Sequence, residues 1–177
     1  MLANVRLVTL AGRHLTLARG ERLFQRGDAI RELYLLSGGE LCLQRDTLDG
    51  ASLTLHRAHA GDVVAEGSVW AERYHCDAQI TCEAMLHAIP MRQVRDALRK
   101  DAALANTWAA LLARELQQSR ARTEILRLRG VAARLDAWCL LTGADLPARG
   151  EQRGVADEIG VMPEALYREL ARRRDIR

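Results

Sequence analysis

The chain has 177 residues, 49% of them hydrophobic, with 3 prolines and a formal net charge of +3, a globular composition that fits one medium domain or two small ones. Apolar runs are short and the N-terminal stretch carries Arg6, Arg13 and Arg19, so neither a membrane span nor a secretion signal is read. Cys42, Cys76, Cys82 and Cys139 form no Cys-x-x-Cys pair, which predicts reduced thiols and a cytoplasmic location.

From Arg13 to Ile89 the pattern is short apolar segments broken by glycine and acidic turns, with Gly-Glu or Gly-Asp at 20–21, 27–28, 39–40 and 61–62 and alternation such as Leu41-x-Leu43 and Leu53-x-Leu55. Many short strands joined by tight turns predict a sandwich or barrel. After Pro90 the rhythm turns helical. Pro90 to Lys100 reads as a short helix, and Asp101 caps a long one that runs to about Leu128, before Gly130.

On the long helix Ala105, Ala109, Leu112, Leu116, Ser119, Thr123 and Leu126 step by four and three, the spacing of a coiled-coil seam. A second stripe, Leu104, Trp108, Leu111 and Ile125, runs beside it. Two stripes predict two partners, the β-domain on one side and a second copy of the chain on the other. The alternative is a helix buried on both sides within one protomer. Val131 to Leu141 reads as a further helix, followed by the turn-rich linker "TGADLPARG". Val155, Ile159, Leu166 and Leu170 then mark the inner faces of two short helices, with Gly160 in the turn and Pro163 opening the second. Helix, glycine turn, helix is the helix-turn-helix pattern. Basic charge gathers in this half, where residues 91–177 hold 17 basic side chains against 12 acids while 1–90 hold 9 against 11. That asymmetry points to a polyanion partner or to solvated helix faces.

Taken in order, "GERLFQRGD" at 20–28, "LYLLSGGELCL" at 33–43, "AGDVVAEGSVW" at 60–70, the long helix and "ADEIGVMPEALYREL" at 156–170 resemble the Crp/Fnr family of bacterial transcription regulators, relatives of the cyclic-AMP receptor protein. The resemblance implies an α+β chain: a cyclic-nucleotide-binding-type β-roll (jelly roll) sensor over 1–100, a dimerisation helix over 101–129, and a helix-turn-helix DNA-binding domain over 130–177. It also implies a homodimer whose partners are double-stranded DNA, RNA polymerase and a small-molecule effector of unknown identity. The chain ends at Arg177, directly after the second helix of the motif, so a truncated winged helix lacking its β-hairpin wing is expected, with less core and fewer phosphate contacts.

The family's nucleotide cassette is Gly-Glu followed by Arg-Ser-Ala or Arg-Thr-Ala, the glutamate holding the ribose and the arginine the cyclic phosphate. Here Ala65 precedes Glu66, and Cys76-Asp77-Ala78 replaces Arg-Ser-Ala. A buried phosphate without a cation, beside a carboxylate, is costly. The expectation is an effector pocket containing Glu66, Arg73, His75, Cys76 and Asp77, closed by Ser119 and Arg120 of the long helix, that does not take cyclic AMP in the usual way. Arg73 or Arg120 is the candidate substitute cation. Residues 1–41 lack cysteine, so no iron–sulfur cluster of the family's kind is expected. His75 or Cys76 would be the axial ligand of a haem, though nothing in their spacing demands one.

For DNA, the resemblance maps its opening arginine onto Pro163 and retains Glu164 and Arg168, suited to a cytosine amino group and to guanine. Ala165 and Tyr167 are candidates for a thymine methyl and a phosphate, and Arg172, Arg173 and Arg174 for backbone neutralisation. An intrahelical Glu164–Arg168 pair is the structural alternative. Other classes fare worse. His56-x-x-His59 followed by Glu66 would suit a cupin-like metal site only if both imidazoles shared a strand face, which a spacing of three forbids. The serines at 37, 52, 68 and 119 lack a nucleophile elbow. Neither a metal site nor an enzyme is predicted. The competing function is a ligand-binding or protein-interaction β-roll that has lost DNA binding.

Overall fold

The computed structural model describes Leu7, residues 9–47, Gly50 and residues 52–175. Two compact units divide the chain, Met1–Ala113 and Arg114–Arg177. The boundary lies inside the long helix instead of at its ends, so the three segments expected at 1–100, 101–129 and 130–177 do not coincide with it.

The first unit is built on an antiparallel sheet of β1 (Arg13–Leu17), β2 (Arg22–Phe24), β3 (Glu32–Asp46), β4 (Ser52–His59), β5 (Val63–Val64) and β6 (Asp77–Pro90). β1, β6, β3 and β4 are neighbours in that order, while β2 pairs with β6 and β5 with β3. The long strands β3 and β6 are its spine. They slip register at Gly38 and Glu40, where Gly39 has φ +82° and its α-carbon lies against β6. A Cβ there would collide with the Glu83 carbonyl, so only glycine lets the strand bend at this point.

Leu33, Leu36, Leu41, Ile80, Leu86 and Ile89 are fully buried within this unit, each side chain contributing roughly 1.5–3 kcal/mol relative to exposure. Phe24 stacks on Tyr74 with ring centroids 3.8 Å apart. The Tyr74 hydroxyl donates to the Glu32 carbonyl at 3.0 Å, which gives the buried phenol the partner it needs. Helix α1 (Met91–Lys100) buries Met91, Val94 and Leu98.

Helix α2 (Ala102–Arg127) is the long helix. Asp101 caps it as expected, its carboxylate accepting from the Leu104 amide at 3.0 Å. Leu104 and Trp108 are buried in the first core and Leu111 packs against it. Beyond the unit boundary, Ile125 is buried in the second core. The other stripe stays open: Leu116 and Leu126 are 52% and 42% exposed, Ala109, Ser119 and Thr123 are exposed, and Ala105 and Leu112 are half-buried.

The second unit adds α3 (Val131–Thr142), α4 (Gln152–Ile159) and α5 (Pro163–Asp175). Leu135, Val155, Ala156, Ile159, Leu166 and Leu170 join Ile125 in its core. The α4–α5 turn is a Schellman arrangement: Gly160 has φ +63°, its amide reaches the Asp157 carbonyl at 3.3 Å, and Val161 donates to Ala156 at 3.0 Å. Gly39→Ala should lower the melting temperature of the first unit by several degrees. Gly20→Ala, at φ +92° with open space around it, should cost only about 1 kcal/mol. Thermal melts followed by circular dichroism compare the two.

Candidate effector segment and nucleic-acid interface

Residues Glu66–Ser68 form a single 3-10 turn entered through Ala65, which sits at φ 73°. It is the single non-glycine residue with positive φ among those described. The resemblance places glycine here, and the backbone keeps the left-handed conformation that glycine favours although the residue is alanine. Such a position stores on the order of 1 kcal/mol of strain. Glu66 follows directly and is half-buried.

Residues 73–77 brace the turn after β2. The Arg73 guanidinium donates to the Gly27 carbonyl at 2.6 Å, Gly27 donates to the Tyr74 carbonyl at 2.8 Å, and Tyr74 donates to the Asp28 carbonyl at 3.0 Å. The Asp77 carboxylate accepts from the Arg26 amide at 2.8 Å. Arg73, a candidate cation for a bound anion on sequence grounds, is thus placed on a backbone carbonyl, and Asp77 on a backbone amide. Between them His75 is exposed and Cys76 is buried.

Burial pushes the Cys76 thiol up to about 11, against the pull of Arg45 and with Asp77 and Glu66 adding to the rise. Nothing in the sequence marks Arg45. It comes from β3, whose pairing sets Gln44 opposite Asp77, and its guanidinium donates to the His75 carbonyl at 3.0 Å. Only the strand register brings these two residues together. Ser119 and Arg120 are exposed on α2 and belong to the second unit.

At the C-terminal end α5 divides cleanly. Leu166 and Leu170 are buried, Ala165 is half-buried, and Glu164, Tyr167, Arg168 and Ala171 form an exposed face at i, i+3, i+4 and i+7. Among the described residues no hydrogen bond or ion pair engages the side chains of Glu164 or Arg168, so the intrahelical alternative does not form. Met162, just before the helix, is 70% exposed.

Arg172 and Arg173 are placed otherwise than as free phosphate ligands, while Arg174 is exposed. Arg172 reaches Glu169 at 2.8 Å. Arg173, 20% exposed, spans Glu169 at 2.7 Å and Asp136 of α3 at 2.6 Å, and donates to the Ala132 carbonyl at 3.1 Å. It ties α5 to α3. The hydrogen bonds from Arg172 and Arg173 hold the Glu169 carboxyl down to about 2. Glu169 is not among the sequence candidates, although its spacing of three and four from these arginines on one helix is a readable signal.

Residues 14–101 match the cyclic nucleotide-binding domain family. No curated protein matches the chain in sequence. Among solved structures, FixK2 from Bradyrhizobium japonicum superposes with a TM-score of 0.77 at 17% identity, covering 92% of this chain and 84% of that one. A CRP-family transcriptional regulator from Thermus thermophilus gives 0.66 at 25% identity, covering 91% and 84%. The c-di-GMP-responsive global regulator CLP from Xanthomonas campestris gives 0.72 at 14% identity, covering 99% and 92%. Among the described residues no helix is long and apolar enough to cross a membrane.

Two measurements check the local chemistry. At about pH 7.5 iodoacetamide should label exposed Cys82 in the native chain and leave Cys76 unmodified until unfolding, since so little of the buried thiol is ionised. Glu169 has a folded pKa below its ordinary value, so its contribution to stability is complete above about pH 4.5 and is lost as pH falls toward 2. Melts of the second unit should therefore drop through that window, and Glu169→Gln should flatten the drop.

Residues 14–101 accordingly resemble cyclic nucleotide-binding domains, and the chain has the fold of the solved CRP-type transcription regulators.

Proposed function

We propose that the chain is a dimeric, sequence-specific DNA-binding transcription regulator of the Crp/Fnr type, whose β-roll answers to an effector other than cyclic AMP held in the usual way. The observation that carries the reading is the exposed face of α5. Glu164 and Arg168 stand one turn apart on a helix anchored from behind by Leu166 and Leu170, with both head groups free to meet base edges in a major groove. Tyr167 lies beside them, able to donate to a phosphate. Ala165 is half-buried, which limits what it could offer a thymine methyl. Arg172, 58% exposed, can exchange Glu169 for a phosphate at small loss, whereas Arg173 serves to hold α5 on α3.

The exposed seam of α2 supports the dimer. Leu116, Leu126, Ala109, Ser119 and Thr123 present a stripe at coiled-coil spacing that a second copy would cover, and two recognition helices would then face two half-sites about one helical turn apart. For the sensor, the support lies in what stands at the cassette. A buried thiol replaces the arginine that would neutralise a cyclic phosphate, Arg73 is engaged by the Gly27 carbonyl, and Arg45, the arginine whose charge reaches Cys76, is engaged by the His75 carbonyl. An effector with little negative charge fits that arrangement better than a cyclic nucleotide.

Selection from random duplexes followed by binding titrations tests the DNA reading. A palindrome should emerge whose affinity falls steeply with salt. Arg168→Ala should weaken binding by about 10-fold or more and relax the sequence preference at one base pair per half-site. Arg172→Ala should weaken all sequences alike and lower the salt slope by about one. Selection that enriches no sequence, or binding indifferent to Arg168, would contradict it.

A further inference from the structure

Arg134 lies one turn into α3, away from the exposed face of α5, and all three nitrogens of its guanidinium donate hydrogen bonds. Nε donates to the Leu128 carbonyl at 2.9 Å and Nη2 to Leu126 at 2.9 Å, at the C-terminal end of α2. Nη1 donates to Ile159 at 3.0 Å and Gly160 at 2.8 Å, at the C-terminal end of α4 and in the turn that leads into α5. Helix ends leave such carbonyls without intrahelical partners and carry partial negative charge, so a cation is favoured there. One planar fork that is always charged satisfies two helix ends at once.

The same junction is closed by packing. A Cβ on Gly160 would lie 2.6 Å from Leu126 Cδ2 and 3.4 Å from Arg134 Nη1. Ile125 is buried with Ile159 and Leu135, and Trp138, one turn along from Arg134, donates to Glu158 at 2.8 Å. Hence Leu126 has two duties, since it is a residue of the exposed seam and also the wall against which the α4–α5 turn sits. Gly130 lies between α2 and α3, yet the chain on both sides of it is held to the same guanidinium.

We propose that Arg134 is a positioning residue for operator recognition. It makes the end of α2 and the helix-turn-helix one body, so that the setting of the seam between two copies fixes the separation and rotation of the two recognition helices. This role rests on the DNA-binding function proposed above. Its consequence is strict half-site spacing, because one base pair of insertion both lengthens and rotates the gap that two rigidly mounted helices must span.

The test uses the full chain and the operator obtained by selection, with spacers changed by one base pair either way. The wild type should lose about 10-fold or more in affinity on each change, while Arg134→Gln should discriminate between spacers by no more than about 2-fold. Both proteins should bind an isolated half-site within about 2-fold of one another, a result that separates lost coupling from lost folding. Arg134→Lys keeps the charge but cannot span both helix ends, and should behave like the glutamine variant. Hydrogen exchange gives a reading independent of DNA: Arg134→Gln should accelerate exchange in peptides 122–128 and 156–162 together and leave the β-roll unchanged. Spacing discrimination retained in both variants, or exchange altered at one helix end alone, would overturn the proposal. If the wild type binds no duplex, the DNA-binding reading falls on its own, and the exchange result still decides whether Arg134 makes the joint.

Discussion

One helix with a place in two cores is the constraint on which the rest of this chain depends. Leu104 and Trp108 give α2 to the β-roll, and Ile125 gives its far end to the helical unit. The buried anchors all lie on the second stripe; of the first stripe Leu112 packs against the β-roll core, while Leu116 and Leu126 are left largely exposed. A large apolar side chain left outside on a regular repeat is a surface awaiting cover. Thr123 interrupts that repeat, and its hydroxyl turns back to the Ser119 carbonyl at 2.9 Å, the i−4 bond that weakens or bends a helix slightly.

Each unit solves its polar problem locally. In the β-roll, Arg73, Asp77 and Tyr74 hold the turn after β2 by hydrogen bonds to and from its backbone. That leaves Cys76 buried as a packing residue and His75 at the surface. In the helical unit Arg173 and Arg134 do the corresponding work, one tying α5 to α3 and the other closing the ends of α2 and α4. Arginine content alone would credit all of these to a polyanion.

Much of this is legible in the amino-acid sequence. Glycine spacing marks the turns at 20–21, 27–28 and 61–62, Asp101 marks the start of the long helix, and Gly160 with Pro163 marks the turn between α4 and α5, because each acts through its own backbone or that of near neighbours; the turn expected at 39–40 is instead a bend inside the long strand β3. The two stripes on α2 are also readable, since they depend only on helical period. Arg45 on His75, Arg173 on Asp136 and Arg134 on Ile159 are not readable. These contacts join residues 25 or more apart along the chain, and they exist only once strand register and helix packing are set. The left-handed backbone at Ala65 is hidden for another reason: alanine gives no local sign of positive φ.

Whether the outward stripe of α2 is covered by a second copy of the chain is tested most directly by sedimentation equilibrium of the wild type beside Leu116→Asp. The expected result is a dimer for the wild type at micromolar concentration and a monomer for the variant, with the circular dichroism of both units preserved. A wild-type chain that sediments as a monomer, or a variant that remains dimeric, would contradict it.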